Sequence, residues 1–254
     1  MQVKSHRITV EKSVLERANL CIDVGNTSIK SALYGPNERG IAYISRYRDA
    51  SELITAIQAA DRVYLSNVGK EDVTILIQSI CADNNAQLFI AETQKSAFGL
   101  TNSYSTPSNM GVDRWLAMLA CMQKSQNKTF LVVDIGTAMT VDAVQNGVHL
   151  GGWIVPGLSL LKQSLFKNTQ RVFGTEENFG STDFGKDTPL CVDHGCTAQI
   201  LGTLLMAEKE MKKNVKKFEI FLTGGDKKLF LNLDVKNIIQ CENLVLEGLT
   251  LFVD

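Results

Sequence analysis

Two stretches of this 254-residue chain carry one pattern: LCIDVGNTSIKSAL at 20–33 and LVVDIGTAMTVDAV at 131–144. Leu, Asp, Gly and a later Ala coincide, and nearly every other apolar position stays apolar. Each reads as an apolar strand that ends on a carboxylate and a glycine turn, then resumes as a second strand. Their separation is close to half of the chain that follows residue 19. That spacing constrains the fold more than any other feature, because it implies an internal duplication with a hairpin opening each half. The expected organisation is an N-terminal extension at 1–19, a first domain at 20–124 and a second at 125–254.

The remaining pattern fits α/β layers. NLCIDVG, IKSALY, RVYLSNV, AQLFIA, TFLVVDIG, MTVDAV and FEIFLTGG read as strands. SELITAIQAA, VDRWLAMLACMQKSQ, GLSLLKQSLF, CTAQILGTLLMAEKEMKK and LVLEGLTLFV have helical spacing. Two runs, 101–111 and 174–188, read as loops. Within the second, GSTDFGKD falls one residue short of a P-loop, since Asp187 stands where Ser or Thr is required and no strand precedes it.

A glycine at a hairpin tip lets backbone approach a phosphate, because no Cβ intervenes. Backbone N–H groups and small hydroxyls such as Thr27 and Thr137 can hold phosphate oxygens. An aspartate before the turn would repel phosphate unless a cation or water lay between. Asp23 and Asp134 therefore read as cation-site residues, and two such tips facing across a cleft would grip a polyphosphate. An ordinary D-G turn would give the same letters at either tip alone. In NSYSTPSNMGVDRWLAML, Asp113 stands at a helix start. There it is either an N-cap or a general base that takes a hydroxyl proton. Arg114 beside it could bind an anion in bidentate fashion.

Composition limits the alternatives. A net charge of −1 gives no reason to expect nucleic-acid or membrane affinity. No apolar run approaches the roughly 20 residues of a membrane span, and the N-terminal stretch is too polar for a signal-peptide core. The six cysteines form no C-x-x-C pair and there are three histidines, which argues against zinc and for reduced, buried thiols in the cytoplasm.

With these elements in order, the chain resembles the type III pantothenate kinases of the acetate kinase, sugar kinase and actin superfamily. The resemblance rests on D-x-G-N-T-x-x-K at Asp23–Lys30, Tyr104 and Pro107 ahead of G-x-D-R at Gly111–Arg114, and D-x-G-T-A-x-T-x-D at Asp134–Asp142. GGWIVPGL, GKDT and TGGD complete it in the family's order. It implies duplicated actin-like (ribonuclease H-like) domains with an interdomain cleft, and ATP-dependent phosphorylation of pantothenate. Asp113 would be the catalytic base. Asp23, Gly25, Asn26, Thr27, Lys30 and Thr137 would bind ATP. Tyr104, Gly111, Val112, Asp113, Arg114 and Thr188 would contact pantothenate, and Asp134 would hold a monovalent cation, K⁺ or NH₄⁺. Mg²⁺ and a homodimer are implied as well. Asp187 departs from the family's G-K-N-T, putting a carboxylate beside Thr188. The competing expectations are another kinase or phosphatase of the same superfamily, and a non-catalytic transcriptional accessory protein of similar fold.

Overall fold

The computed structural model describes residues 19–34, 41–175, 180–230 and 238–253. The expected extension at 1–19 lies outside them apart from Asn19, which already belongs to the first strand. The chain forms two compact units. One holds the described residues through Ala91 together with Leu249 onward, and the other holds Glu92–Gly248.

In the first unit, β1 (Asn19–Val24) and β2 (Ile29–Tyr34) form the opening hairpin and β3 (Ala42–Tyr47) extends it. A 3₁₀ turn at Ala50–Leu53 runs into α1 (Ile54–Gln58), followed by β4 (Arg62–Asn67), α2 (Glu71–Asp83) and β5 (Gln87–Ile90). The sheet order is β3-β2-β1-β4-β5, with the hairpin strands antiparallel and β1, β4 and β5 parallel. Leu20, Ile22 and Val24 alternate onto one face, where they meet Leu53, Ile57, Ile77 and Ile80 from the helical layer.

The second unit begins with two short strands, β6 (Ser96–Ala97) and β7 (Leu100–Thr101), and then α3 (Val112–Lys124). There follow β8 (Phe130–Ile135), β9 (Ala138–Gln145), β10 (Val148–Pro156), α4 (Leu158–Asn168), α5 (Thr188–Lys212), β11 (Glu219–Thr223), β12 (Ile238–Gln240) and α6 (Leu244–Thr250). Its sheet runs β12-β11-β8-β9-β10-β7-β6. Read from β10, the first five repeat the order and directions of the first sheet, and β7 and β6 add to the β10 edge. Leu131, Val133 and Ile135 take the places of Leu20, Ile22 and Val24, here against Val192, Ile200 and Leu204 of α5. β1 and β8 share one burial sequence, with four buried positions, a half-buried Asp and a buried aliphatic residue. The duplication read from the two hairpins thus extends to a five-strand topology.

The compact division does not coincide with the expected boundary at 124/125. Residues 92–124 go with the second unit because β7 pairs with β10 and α3 packs on β8 and β9. Arg114 to Met122 of α3 are all buried, as expected of a helix surrounded by protein. α5 also differs from expectation: at 25 residues it is long and apolar enough to cross a membrane. Its inward side, Val192, Cys196, Ile200, Leu201, Leu204, Ala207 and Met211, instead lies in the second unit's core. All six cysteines are free and only Cys191 is exposed. Burial pushes the Cys21 thiol up to about 12, which makes it a poor nucleophile at neutral pH.

Two glycines give opposite expectations. A Cβ on Gly248 would sit 2.2 Å from the Leu116 carbonyl oxygen, whereas one on Gly202 meets nothing within 4 Å. Gly248→Ala is expected to cost about 1–3 kcal/mol through overpacking. Gly202→Ala, at an exposed position inside α5, is expected to add about 0.5–1 kcal/mol. Urea unfolding midpoints should move in opposite directions, and equal midpoints would contradict the close approach of α3 and α6.

Candidate active site

The first hairpin tip lies at the end of β1, whose penultimate residue is Asp23. Ser66, fully buried on the neighbouring parallel strand, donates to Asp23 Oδ1 at 3.3 Å. Lys30 lies opposite Asp23 in the β1–β2 register. Gly25 N–H donates to the Ser28 carbonyl at 3.1 Å, closing a turn whose apex, Asn26 and Thr27, is exposed. The chain leaving β4 seats against this tip: Val68 N–H donates to Val24 O at 3.1 Å, and Gly69 N–H donates to Asn67 Oδ1 at 2.7 Å. A Cβ on Gly69 would meet Gly25 O and Val24 Cγ1, each at 3.3 Å.

The second tip repeats the arrangement with a turn one residue shorter. Asp134 pairs with Thr140 and Ile135 with Met139, while Gly136 N–H donates to Ala138 O at 3.1 Å. The shortening shifts all later equivalences, so Asp142 and not Ala143 stands where Ala32 does. The matching alanines noted in sequence are therefore not structural counterparts.

Two glycine contacts hold this tip. Gly157 N–H donates to Thr137 O at 2.9 Å, and a Cβ there would lie 2.1 Å from Gly136 O. Gly224 has φ +98°, and a Cβ on it would fall 2.3 Å from Ile135 O. Asp226 N–H donates to that same oxygen at 3.1 Å. The P-G-L and T-G-G-D motifs are thus backbone seats for the tip that carries Asp134 and Thr137. The run Ser66–Gly69 is the first unit's counterpart, and its sequence signal was an S-N-x-G directly after an apolar strand.

The third cluster lies at the start of α3. Gly111 is its N-cap, so Asp113 sits inside the first turn and does not cap the helix. Asp113 Oδ1 accepts from the Arg114 backbone N–H at 2.8 Å. Burial pushes its carboxyl above the usual range; that N–H and the Arg114 charge oppose the rise, and Asp142 adds to it. The Arg114 fork is already engaged. Nε donates to Asp142 Oδ2 at 2.9 Å and Nη2 to Oδ1 at 2.6 Å, with both residues buried. Bidentate binding of a substrate anion, expected from sequence, is therefore not what that face of the guanidinium does. Nη1 donates to the Tyr104 hydroxyl at 3.2 Å, and the guanidinium carbon lies 5.9 Å from the Tyr104 ring centroid. Gly152 leaves room for the ion pair, since a Cβ there would lie 2.5 Å from Asp142 Oδ1 and 2.7 Å from Arg114 Nη2.

Thr188 opens α5 and lines a cavity of about 590 Å³ with Lys186, Asp187 and Cys191, whereas Tyr104, Asp113 and Arg114 are not among its walls. Asp187 is the N-cap, accepting from Leu190 N–H at 2.9 Å. Asp and Asn cap about equally well, so the carboxylate beside Thr188 has a local partner. Sequence reading passed over Lys162 of α4 and Asp193 of α5, a fully buried ion pair. Burial raises the Asp226 carboxyl and the Lys162 ammonium opposes that rise, which puts the pair's charge near the T-G-G-D turn.

The family model for type III pantothenate kinase matches residues 19–207. A type III pantothenate kinase from Pseudoalteromonas atlantica is 37% identical over 238 residues, covering 92% of this chain and 97% of the relative. Among solved structures, a chain from Campylobacter jejuni assigned to the Baf family of transcriptional activators superposes with TM-score 0.59 at 20% identity, over 91% of this chain and 95% of its own. A chain from Sinorhizobium meliloti assigned as a 2-dehydro-3-deoxygalactonokinase gives TM-score 0.55 at 12% identity, over 92% and 97%. At those identities the two structures speak for the duplicated actin-like fold alone. Family model and sequence relative together identify the chain as a member of the type III pantothenate kinase family.

Proposed function

We propose that this protein transfers the γ-phosphoryl group of ATP to the primary alcohol of pantothenate, giving 4′-phosphopantothenate, the first step of coenzyme A biosynthesis. The observation that carries the reading is Asp113: a half-buried carboxylate with a raised pKa, in the family's G-x-D-R motif, next to a neutralised Arg114–Asp142 pair. Such a group is a competent general base for an alcohol. Gly111, Val112, Arg114 through Nη1, Tyr104 and Thr188 position pantothenate. Gly25, Asn26, Thr27, Lys30 and Thr137 position the ATP phosphates, with Asp23 beside them. Positioning and charge neutralisation do most of the work in phosphoryl transfer.

Among the described residues no group of three or more His, Cys, Asp or Glu side chains is gathered to hold a metal ion. Mg²⁺ binds through one or two carboxylates plus substrate phosphates and needs no protein cage. Asp23, half-buried and backed by Ser66, fits as the residue ordering its hydration shell. Bound Mg²⁺ supplies charge neutralisation on the phosphates. Asp134 is the corresponding carboxylate for a monovalent cation, K⁺ or NH₄⁺.

A homodimer and a cytoplasmic location complete the reading. Leu150 and Trp153 of β10 are 49% and 39% exposed and line one cavity, an apolar surface suited to a second copy. Six free cysteines suit a reducing compartment. The net charge of −1 supports no nucleic-acid partner.

The test is ADP release by the purified protein with Mg·ATP, with and without pantothenate, in K⁺, NH₄⁺ or Na⁺. Turnover is expected to need pantothenate and to favour K⁺ or NH₄⁺ over Na⁺, with Asp134→Asn erasing that cation preference. Asp113→Asn is expected to lose about 10²- to 10⁴-fold in kcat. ADP release indifferent to pantothenate would replace this reading with hydrolysis or another acceptor.

The raised Asp113 pKa sets two further signs. The base must be ionised, so the acid limb of kcat/KM is expected above the ordinary carboxylate range. The native state also holds this proton more tightly than the unfolded chain. Asp113 therefore loses stability for the fold as pH rises from the ordinary range through its raised pKa. Asp113→Asn is expected to melt higher than wild type above that window and alike below it. A lower melting temperature above that window would contradict the burial argument.

A further inference from the structure

Asp142 accepts a third hydrogen bond that the kinase reading leaves unused. His149 of β10 is fully buried, with Nε2 3.0 Å from Asp142 Oδ1 and Nδ1 3.0 Å from the Ser103 hydroxyl. A bare nitrogen facing a carboxylate oxygen would set lone pair against lone pair, so Nε2 carries a proton. In the neutral ring Nδ1 then accepts from Ser103. The contacts close on themselves: Ser103 to His149, to Asp142, to Arg114, to the Tyr104 hydroxyl, and through one peptide bond back to Ser103. That ring ties the segment after β7 to β9, β10 and α3.

Its members differ in exposure. Ser103 is exposed and Tyr104 half-buried, on a segment held otherwise by Lys95 Nζ, which donates to the Asn102 and Tyr104 carbonyls, and by the Asn102 side chain. Asp142, Arg114 and His149 are buried. Backbone geometry makes space for them: β10 bulges between His149 and Gly151, where φ is +133°, and Gly152 admits the carboxylate. A bulge of this kind re-aims the side chains next to it.

We infer that His149 is a positioning residue for the acceptor substrate: by donating to Asp142 and accepting from Ser103, it fixes Arg114 Nη1 and the Tyr104 ring in the orientation that receives the acceptor. It touches neither substrate nor nucleotide and acts through those two side chains. This rests on the kinase reading above for what the acceptor is, whereas the hydrogen-bond chain itself does not.

The test compares His149→Phe, which removes both polar atoms, with His149→Gln, whose amide can still donate to Asp142. With an acceptor oxygen left short of one buried donor, His149→Phe is expected to raise KM for pantothenate roughly tenfold. KM for ATP should hold and kcat should change far less than KM. His149→Gln is expected to recover most of the loss. In the resting wild-type protein, nitrogen-15 NMR of the labelled ring should find the proton on Nε2.

A folded His149→Phe protein with unchanged pantothenate KM would overturn the inference. So would a Gln variant as impaired as Phe, or both KM values rising while kcat falls. A proton on Nδ1 with bare Nε2 would overturn the hydrogen-bond chain directly. Failure of the wild type to use pantothenate would instead sink the kinase reading, while the NMR result still decides the chain.

Discussion

Everything at the two hairpin tips depends on backbone meeting backbone. The strand beside each hairpin must deliver its following turn onto the tip, where one N–H caps a carbonyl: Val68 onto Val24, and Asp226 onto Ile135, both at 3.1 Å. The second tip takes a further contact from the start of α4 at Gly157. At the second tip no side chain fits at Gly157 or Gly224, where a Cβ would fall 2.1 and 2.3 Å from carbonyl oxygens. With the turns seated, Asp23 and Asp134 are held at the same place in two copies of one sheet, each half-buried one residue before its turn. Fixed carboxylates and exposed apex residues are what a polyphosphate with its cations requires, because such charge is stabilised by groups that need no reorganisation.

The acceptor side follows from a different constraint, the burial of opposite charges. Arg114 and Asp142 are nearly inaccessible, so each must find its partner inside. Their mutual bidentate pairing neutralises both and takes two of the guanidinium's five N–H donors. What remains near Asp113 is a neutralised pair rather than a free cation. Asp113 is therefore not held down as a paired carboxylate; burial dominates and lifts its pKa. A base closer to neutrality gains proton-accepting strength, at some loss of its ionised fraction at low pH.

Much of this was legible in the sequence, for physical reasons. The duplicated hairpins were visible because a strand buried on both faces reads as a continuous apolar run broken only by its Asp. The helices α3 and α6 kept plain apolar periodicity. β10 did not read as a strand, because Gly151, Gly152 and Pro156 are poor strand residues and are there for a bulge and a close approach. α2 was missed because Val73, Thr74, Ile75, Ile77 and Ile80 look β-prone, although Ile77, Ile80 and Cys81 fall on one buried helical face. α5 begins earlier than its apolar pattern, at the cap Asp187 inside a stretch read as loop, with Pro189 just beyond it in the first turn; both are sound helix-start signals. Asp113 and Asp134 were singled out from motif context. Neither the Arg114–Asp142 pairing nor His149 could be, since those contacts join α3 to β9 and β10 and leave no local spacing to read.

The account's central claim is that one carboxylate, Asp113, directs phosphoryl transfer to a primary alcohol. The most direct measurement is proton-coupled phosphorus-31 NMR of the product formed from Mg·ATP and pantothenate. Phosphorus coupled to two methylene protons is the result this account requires. Coupling to a single proton would place the phosphate on the secondary alcohol, and a lone orthophosphate singlet would mean that water is the acceptor. Either would contradict it.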